Sequence, residues 1–423
     1  MFRQTAYNHS LIFGLKLLIL ACLVLLPIKS AAVDLAQIQE LEKAVLANPT
    51  NSGTVAALVK AYNDAAVELA NQQQWQQAED YLNKGLVLSP SSTFIIANLA
   101  NVYFEHAYDL FQKPQQHYSN DNHHDAQELA KKAIALDPKN INAYILLGDI
   151  NYMNQQMTEA KYAWTQAAAL VPDNQPIQER LAKITREEKT EAKMTTKYDV
   201  FFNIRADNSI ANIPGFDINR VLNTARAAVS QDFFYVQPGK IPVVIYTYAQ
   251  YKSTLKDAPE WSDGAYDGKI RIILSPNQKD FRQAKSNIVH EYTHSVVADL
   301  ANNNCPKWIN EGMAKYEESK HGVVPDLTQL TQAYNNGALI SWDNIDKGFL
   351  APTTEEVLLA YEQSYSFVCF IVQKYSMAKL VALLKFLGTN PDFPAAISMV
   401  YSKPLATLQS EWQIWLRAFI KLT

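Results

Sequence analysis

The sequence predicts a two-part chain: an all-α solenoid of paired helices followed by an α+β domain. Three observations predict it. Pro138 and Pro172 stand 34 residues apart in an Ala-, Leu- and Gln-rich stretch, a period that belongs to stacked helix pairs. Beyond a charged run at Arg186 to Lys197 the pattern changes to short apolar strands interleaved with helices, the grammar of an α+β fold. A His-Glu-x-x-His sequence then lies on an apolar helical pattern. With 48% apolar and 19% charged residues in 423, the composition excludes a wholly disordered, collagen-like or multi-span membrane chain. The length suits two or three domains.

At the N-terminus, Arg3 precedes an apolar stretch that is densest over Leu17 to Leu26 and closed by Pro27. That run is short for a bilayer span and reads as a secretory signal. Ser30-Ala31-Ala32 offers small residues to a signal peptidase, so residues 1–32 are expected to be removed. The alternatives are an uncleaved anchor over Leu11 to Leu26 and lipidation at Cys22 after Ile19-Leu20-Ala21. Export points to a bacterial periplasm, with a membrane-anchored form facing it as the alternative, and membrane contact is expected only if the signal stays or Cys22 is lipidated. Residues 33–423 carry 35 basic against 42 acidic side chains, a net charge of -7. A mildly acidic body has no electrostatic footprint for nucleic acid. Cys305 and Cys369 are too few for a disulfide scaffold; they either pair in an oxidising compartment or stay as separate buried thiols.

Residues 33–193 read as helix after helix. Counting back from Pro172 places Tyr144, Leu147, Gly148, Ala160, Trp164 and Ala167 in a large, large, small, small, large, small order. Pro90 gives Ala78, Leu82 and Gly85 in the same way, and Pro138 gives Ala126, Ala130 and Ala133. The first helix of the middle unit fits only when moved upstream by 14 residues, onto Ile96, Leu99, Ala100 and Tyr103, which implies an insertion near Gln112 to His124. His117, His123 and His124 stand there among Asn, Asp and Gln, without a Cys or spaced carboxylate, and read as a solvated loop rather than a metal site. The segment Gln37 to Pro172 resembles about three tetratricopeptide repeats, with a capping helix near Gln175 to Lys193. The resemblance implies a concave surface for a peptide or protein partner; the alternative is a purely structural stack.

The run Arg186 to Lys197 is expected to be a helix end plus linker. After it, strands are expected at Tyr198 to Ile204, Ile241 to Thr247 and Lys269 to Leu274, with a helix near Ile218 to Gln231, so the second domain spans 198–423.

The segment Asn287 to Val297 contains His290-Glu291-Tyr292-Thr293-His294, flanked by apolar Ile288, Val289, Val296, Val297 and Leu300. Four helical residues turn through about 400°, so the two imidazoles share a face and can grip one ion at about 2.0 to 2.1 Å, with Glu291 beside it as general base. The metzincin continuation Gly-x-x-His is absent. Instead Glu311 arrives 17 residues after His294, within Trp308-Ile309-Asn310-Glu311-Gly312-Met313-Ala314. Its carboxylate would complete two His and one Glu and leave the fourth tetrahedral position to water.

The succession of strand, HEYTH helix, Cys305-Pro306-Lys307-Trp308 and NEGMAKYEE closely resembles the peptidase MA-like gluzincin domain, a thermolysin-type zincin often found with tetratricopeptide repeats, over Tyr198 to Thr423. The resemblance implies one Zn²⁺ held by His290, His294 and Glu311, Glu291 as catalytic base, and an exported zinc endopeptidase acting on peptide or protein substrates. The rival reading is a non-catalytic tetratricopeptide scaffold with a zinc-binding pseudo-protease domain. An intact Glu291 and only three protein ligands favour catalysis, because structural zinc normally has four. The chain departs from thermolysin at Lys315, four residues beyond Glu311, where that enzyme carries an Asp behind its ligands; the group that orients His290 is thereby left open.

Gluzincins commonly add a Tyr or His donor for the developing oxyanion. Tyr361 and Tyr365, in AYEQSYSFVCF, are the candidates, with packing as the alternative for each. The family also implies an edge strand at Lys269 to Leu274 that holds extended peptide by backbone hydrogen bonds, with Ile270, Ile272 and Leu274 turned to the core. Trp261 and Tyr266 either line the cleft or pack, and His321 reads as a loop residue. From Glu355 to Thr423 a helical stripe of Phe367, Phe370, Ile371, Leu380, Leu383, Leu384, Trp412, Trp415 and Leu416 is expected to close the far wall as core.

Overall fold

A computed structural model describes residues 35–112, 121–256, 264–277, 280–321, 324–351 and 353–421. The signal segment, Cys22, His117 and Trp261 lie outside the described residues. The chain forms two compact units, divided between Thr185 and Arg186.

The first unit is a run of helices: α1 (Leu35–Ala47), α2 (Ser52–Asn71), α3 (Trp75–Leu88), α4 (Thr93–Gln112), α5 (Asp121–Leu136), α6 (Ile141–Met153), α7 (Met157–Leu170) and the start of α8 (Gln175–Glu191). Asn51 and Asn140 cap α2 and α6 with their side-chain oxygens, satisfying backbone donors that a helix start leaves open. The pairs α2–α3, α4–α5 and α6–α7 pack closely as tetratricopeptide-like hairpins. Ala78, Ala126, Ala130, Ala133, Ala160 and Ala167 are fully buried at the helix contacts, which is why those positions are small. Gly148 is demanded by space: a Cβ there would stand 2.3 Å from the Trp164 ring. The Trp164 indole donates to Asp149, and Arg180 of α8 donates to both oxygens of the same carboxylate, so the last helix is tied to the final pair.

Of the expected insertion, Gln112 ends α4 and Asp121 to His124 begin α5, while residues 113–120 lie outside the described residues. His123 and His124 therefore sit on α5. The His123 ring packs on Phe111, and its Nδ1 lies 3.2 Å from the Asn154 side-chain oxygen.

In the second unit the run Arg186 to Lys197 is ordered almost throughout: α8 continues to Glu191 and β1 (Thr195–Tyr198) begins four residues later. The reason is burial of charge. Glu187 accepts from Lys269 at 3.0 Å and from Arg271 at 2.7 Å, and the Tyr246 hydroxyl donates to Glu191 at 2.7 Å. The charged run read as a helix end plus linker does end a helix, and it supplies partners to two fully buried cations.

β1 pairs antiparallel with β2 (Phe202–Ala206). The single strand expected over Tyr198 to Ile204 is thus two strands, broken where the Asp199 carboxylate accepts from the backbone N–H of Phe201 in a tight turn. α9 (Ile218–Asp232), capped by Asp217, leads to β3 (Ile241–Tyr246), and α10 (Tyr248–Thr254) starts on a Thr247–Gln250 capping box. β4 (Gly264–Tyr266) and β5 (Ile270–Ile273) complete a five-stranded sheet of order β1-β2-β3-β5-β4, parallel at β2–β3 and β3–β5. The strand expected at the edge is therefore internal. Gly268, at φ 90°, reverses the chain so that β4 covers the outer side of β5 antiparallel, and β4 is the edge.

Phe202, Ile204, Val243, Ile245, Ile270 and Ile272 turn one sheet face into the main core. Against it pack α11 (Arg282–Ala301) and α12 (Lys307–Ser319), followed by α13 (Thr328–Asn335), α14 (Ile345–Gly348), α15 (Thr354–Tyr375), α16 (Met377–Thr389), α17 (Phe393–Tyr401) and α18 (Leu405–Phe419). The expected C-terminal stripe is core, with Trp308, Trp342, Phe367 and Trp412 stacked edge to face at its centre. Cys305 and Cys369 are separate free thiols. Among the described residues no single helix is long and apolar enough to cross a membrane, although the bent pair α15–α16 matches by length and composition.

Candidate metal centre

The centre is built by a helical hairpin. α11 ends at Asn302 and Asn303, both in the left-handed region at φ 47° and 58°, a conformation that asparagine tolerates better than most residues. Pro306 precedes α12, whose Trp308 N–H donates to Asp346 at 2.8 Å. The turn lays α12 back along α11 and brings Glu311 opposite the two histidines.

His290 Nε2 and His294 Nε2 are 3.1 Å apart, and Glu311 Oε2 lies 3.5 Å from each. Ligands about 2.0 to 2.1 Å from one ion in a tetrahedral arrangement stand about 3.3 Å apart, so the triangle has the size that zinc requires. The other ring nitrogens are already engaged: His290 Nδ1 lies 2.9 Å from Glu318 Oε2, and His294 Nδ1 lies 2.9 Å from Asn310 Oδ1. Both partners accept, so in the neutral rings each Nδ1 carries the proton and each Nε2 presents a lone pair to the centre. Two lone pairs and a carboxylate facing one another repel unless a cation sits among them. Glu311 Oε2 and Glu291 Oε2 are both buried with no hydrogen-bond partner among the described residues. These residues fit a metal ion.

The electrostatics agree. Burial alone would depress the His290 imidazolium, but Glu311 and Glu318 outweigh it and lift it to about 9. Burial alone would raise Glu311, yet His294 and His290 hold it well below the usual carboxylate range. Glu291 is held above its ordinary value, chiefly by burial.

Residues 234–418 match the family model of the Peptidase MA superfamily. The second unit carries a Peptidase MA domain. A comparison with curated proteins finds no relative. Among solved structures, the first tetratricopeptide domain of Spaghetti (RPAP3) bound to an HSP90 peptide is 21% identical, covering 31% of this chain and 93% of that one at a TM-score of 0.23. The first such domain of human RPAP3, solved by NMR, is 20% identical, with 31% and 93% covered at a TM-score of 0.22.

Within the Peptidase MA domain, α15 crosses α12 at Gly312, where a Cβ would stand 2.6 Å from the Ser364 carbonyl oxygen. That close approach brings Tyr361 alongside the centre: burial and the charges of Glu311, Glu291 and Glu318 push its hydroxyl well above the usual range. Tyr365, one turn later, faces away; its hydroxyl lies 3.5 Å from Ser319 Oγ, and Cys369 adjoins it. Tyr266 is packed against the main core, and His321 follows the end of α12 in a turn.

Glu318 and Asn310 were not legible as supports for the histidines. The signal was available. Glu318 stands seven residues, about two turns, beyond Glu311 and so on the same face of α12. The Lys315 ammonium, 2.8 Å from the same Glu318 oxygen, ties down the carboxylate from the position where thermolysin places its Asp.

Proposed function

We propose that the chain is an exported zinc-dependent endopeptidase. The observation that carries this reading is the triangle of His290, His294 and Glu311, with Glu291 adjoining it and its Oε2 buried without a hydrogen-bond partner among the described residues. When bound, zinc lowers the pKa of a coordinated water towards about 7 and polarises a carbonyl oxygen. Glu291 accepts the proton of the attacking water and later returns it to the leaving amine. Tyr361, kept protonated by burial and by the carboxylates around it, donates to the oxygen on which negative charge develops. The outer edge of β4 offers backbone groups to an extended peptide, and the helical repeats dock a substrate or partner protein.

The test is cleavage of casein by the purified full chain. Activity is expected to disappear with a chelator and return with zinc. Glu291→Gln should retain one zinc per chain and lose turnover, and Tyr361→Phe should lower kcat by about 10²- to 10³-fold. Full activity in Glu291→Gln refutes the assignment. Zinc binding without turnover on casein or on any partner trapped by Glu291→Gln favours the scaffold reading instead. Export is tested by intact mass: a mature N-terminus at Val33 supports it, and one at Met1 refutes cleavage.

A further inference from the structure

We propose that Gly264, on the edge strand, positions Glu291, because its missing side chain is the space in which that carboxylate stands. The inference rests on the reading of Glu291 as the base of a metallopeptidase centre.

β4 is registered with Gly264 opposite Ile272. Gly264 therefore points to the same sheet face as Ile272, the face against which α11 packs. A Cβ on Gly264 would lie 2.7 Å from Glu291 Oε1, 3.0 Å from Glu291 Cγ and 3.0 Å from the Arg271 carbonyl oxygen. Ordinary carbon–oxygen contacts begin at about 3.3 Å. The backbone of Gly264 is outside the left-handed region, unlike Gly215, Gly239, Gly268 and Gly337. Space, and not conformation, is what excludes a side chain here.

The strand has little freedom to retreat. The Tyr251 hydroxyl donates to the Gly264 carbonyl at 2.9 Å. Arg271, paired with the neighbouring Ala265, is held by Asp267, Glu187 and the Tyr246 hydroxyl. Glu291 makes the shortest contact and is the flexible neighbour that gives, whereas the 3.0 Å approach to the Arg271 carbonyl is backbone and costs the same in every Glu291 background. Because Cγ as well as Oε1 is in the way, rotating the carboxylate alone does not relieve the contact; the side chain has to leave its rotamer. The three nearest atoms to a Cβ at 264 belong to Glu291 and Arg271, ahead of any atom of His290, His294 or Glu311.

The experiment is a double-mutant cycle on the zinc-loaded full chain, with zinc content, melting temperature and casein kinetics measured on each member. Gly264→Ala is expected to keep one zinc per chain, to melt about 5 °C lower and to lose about 100-fold in kcat with KM within twofold. Introduced into Glu291→Ala, where Cγ and both oxygens are gone, the same change should cost less than half as many degrees. Gly264→Ala with Glu291→Asp, whose carboxylate is one methylene shorter, should recover at least tenfold in kcat over Gly264→Ala alone. Equal melting losses in the two backgrounds, unchanged kcat in Gly264→Ala, or loss of its zinc overturns the proposal. If Gly264→Ala does not fold, folding of the Gly264→Ala, Glu291→Ala double variant supports it and failure overturns it. Wild-type protein that cleaves neither casein nor any partner trapped by Glu291→Gln sinks the peptidase reading, while the melting cycle still decides whether Gly264 makes room for Glu291.

Discussion

Glu318→Ala takes from His290 the acceptor that fixes its Nδ1 at 2.9 Å and leaves His294, Glu311 and Glu291 unsubstituted. The bond is buried and charge-assisted. Glu318 is 2% exposed, and although burial alone would raise its carboxyl, His290 and Lys315 hold it down at about 2. A hydrogen bond to a charged partner contributes about 1.5 to 3 kcal/mol. At about 1.4 kcal/mol per tenfold, its loss should weaken zinc binding by about 10- to 150-fold. Asn310→Ala removes a neutral acceptor at the same 2.9 Å from His294. A neutral bond contributes about 0.5 to 1.5 kcal/mol, so that loss should be only about 2- to 12-fold. Zinc affinity is read by competition against a chromophoric chelator at fixed pH. Unchanged affinity in Glu318→Ala, or a larger loss in Asn310→Ala, refutes the reasoning, because the structure places the charge behind His290.

Three further outcomes are expected. Glu187→Ala strips the shared anion from Lys269 and Arg271, both fully buried; it should destabilise the second unit by about 3 to 5 kcal/mol in urea unfolding, and an unchanged midpoint counts against the buried network. Gly312→Ala forces a Cβ to 2.6 Å from the Ser364 carbonyl oxygen and 2.9 Å from Val368 Cγ2; a loss of about 1 to 3 kcal/mol is expected, and wild-type stability would mean that the crossing of α12 and α15 is looser than described. Glu362 accepts from the Leu330 N–H at 2.7 Å, and burial pushes its carboxyl up from 4.5 to about 7. Between those values the folded chain keeps a proton that the unfolded chain has released, so stability falls as pH rises through the window. Glu362→Gln keeps an acceptor for Leu330 and should melt like wild type near pH 4.5 but be more stable at pH 8, by an amount on the order of 3 kcal/mol; equal differences at both pH values rule out this origin.

The sequence by itself determined most of the helices and the residue types that meet at the candidate centre. Alanine and glycine at fixed offsets from Pro90, Pro138 and Pro172 mark where helices must touch, and burial at those positions follows from size alone. His290 and His294 share a face because helical rotation places them there, whatever surrounds the helix. Tertiary structure decided everything that depends on residues distant in the chain. Strand order made Lys269 to Leu274 internal and gave the edge to Gly264–Tyr266, which no local pattern specifies. Glu187 and Glu191 look like solvated charges until β5 brings Lys269 and Arg271 against them. Tyr361 and Tyr365 are one turn apart with the same residue type, and only the approach of α12 to α15 at Gly312 puts the first beside Glu311 and the second against Ser319. The physical reason is range. Rotation and pleat act over a few residues and are written locally, whereas close packing and charge compensation act between elements and exist only once the chain has folded.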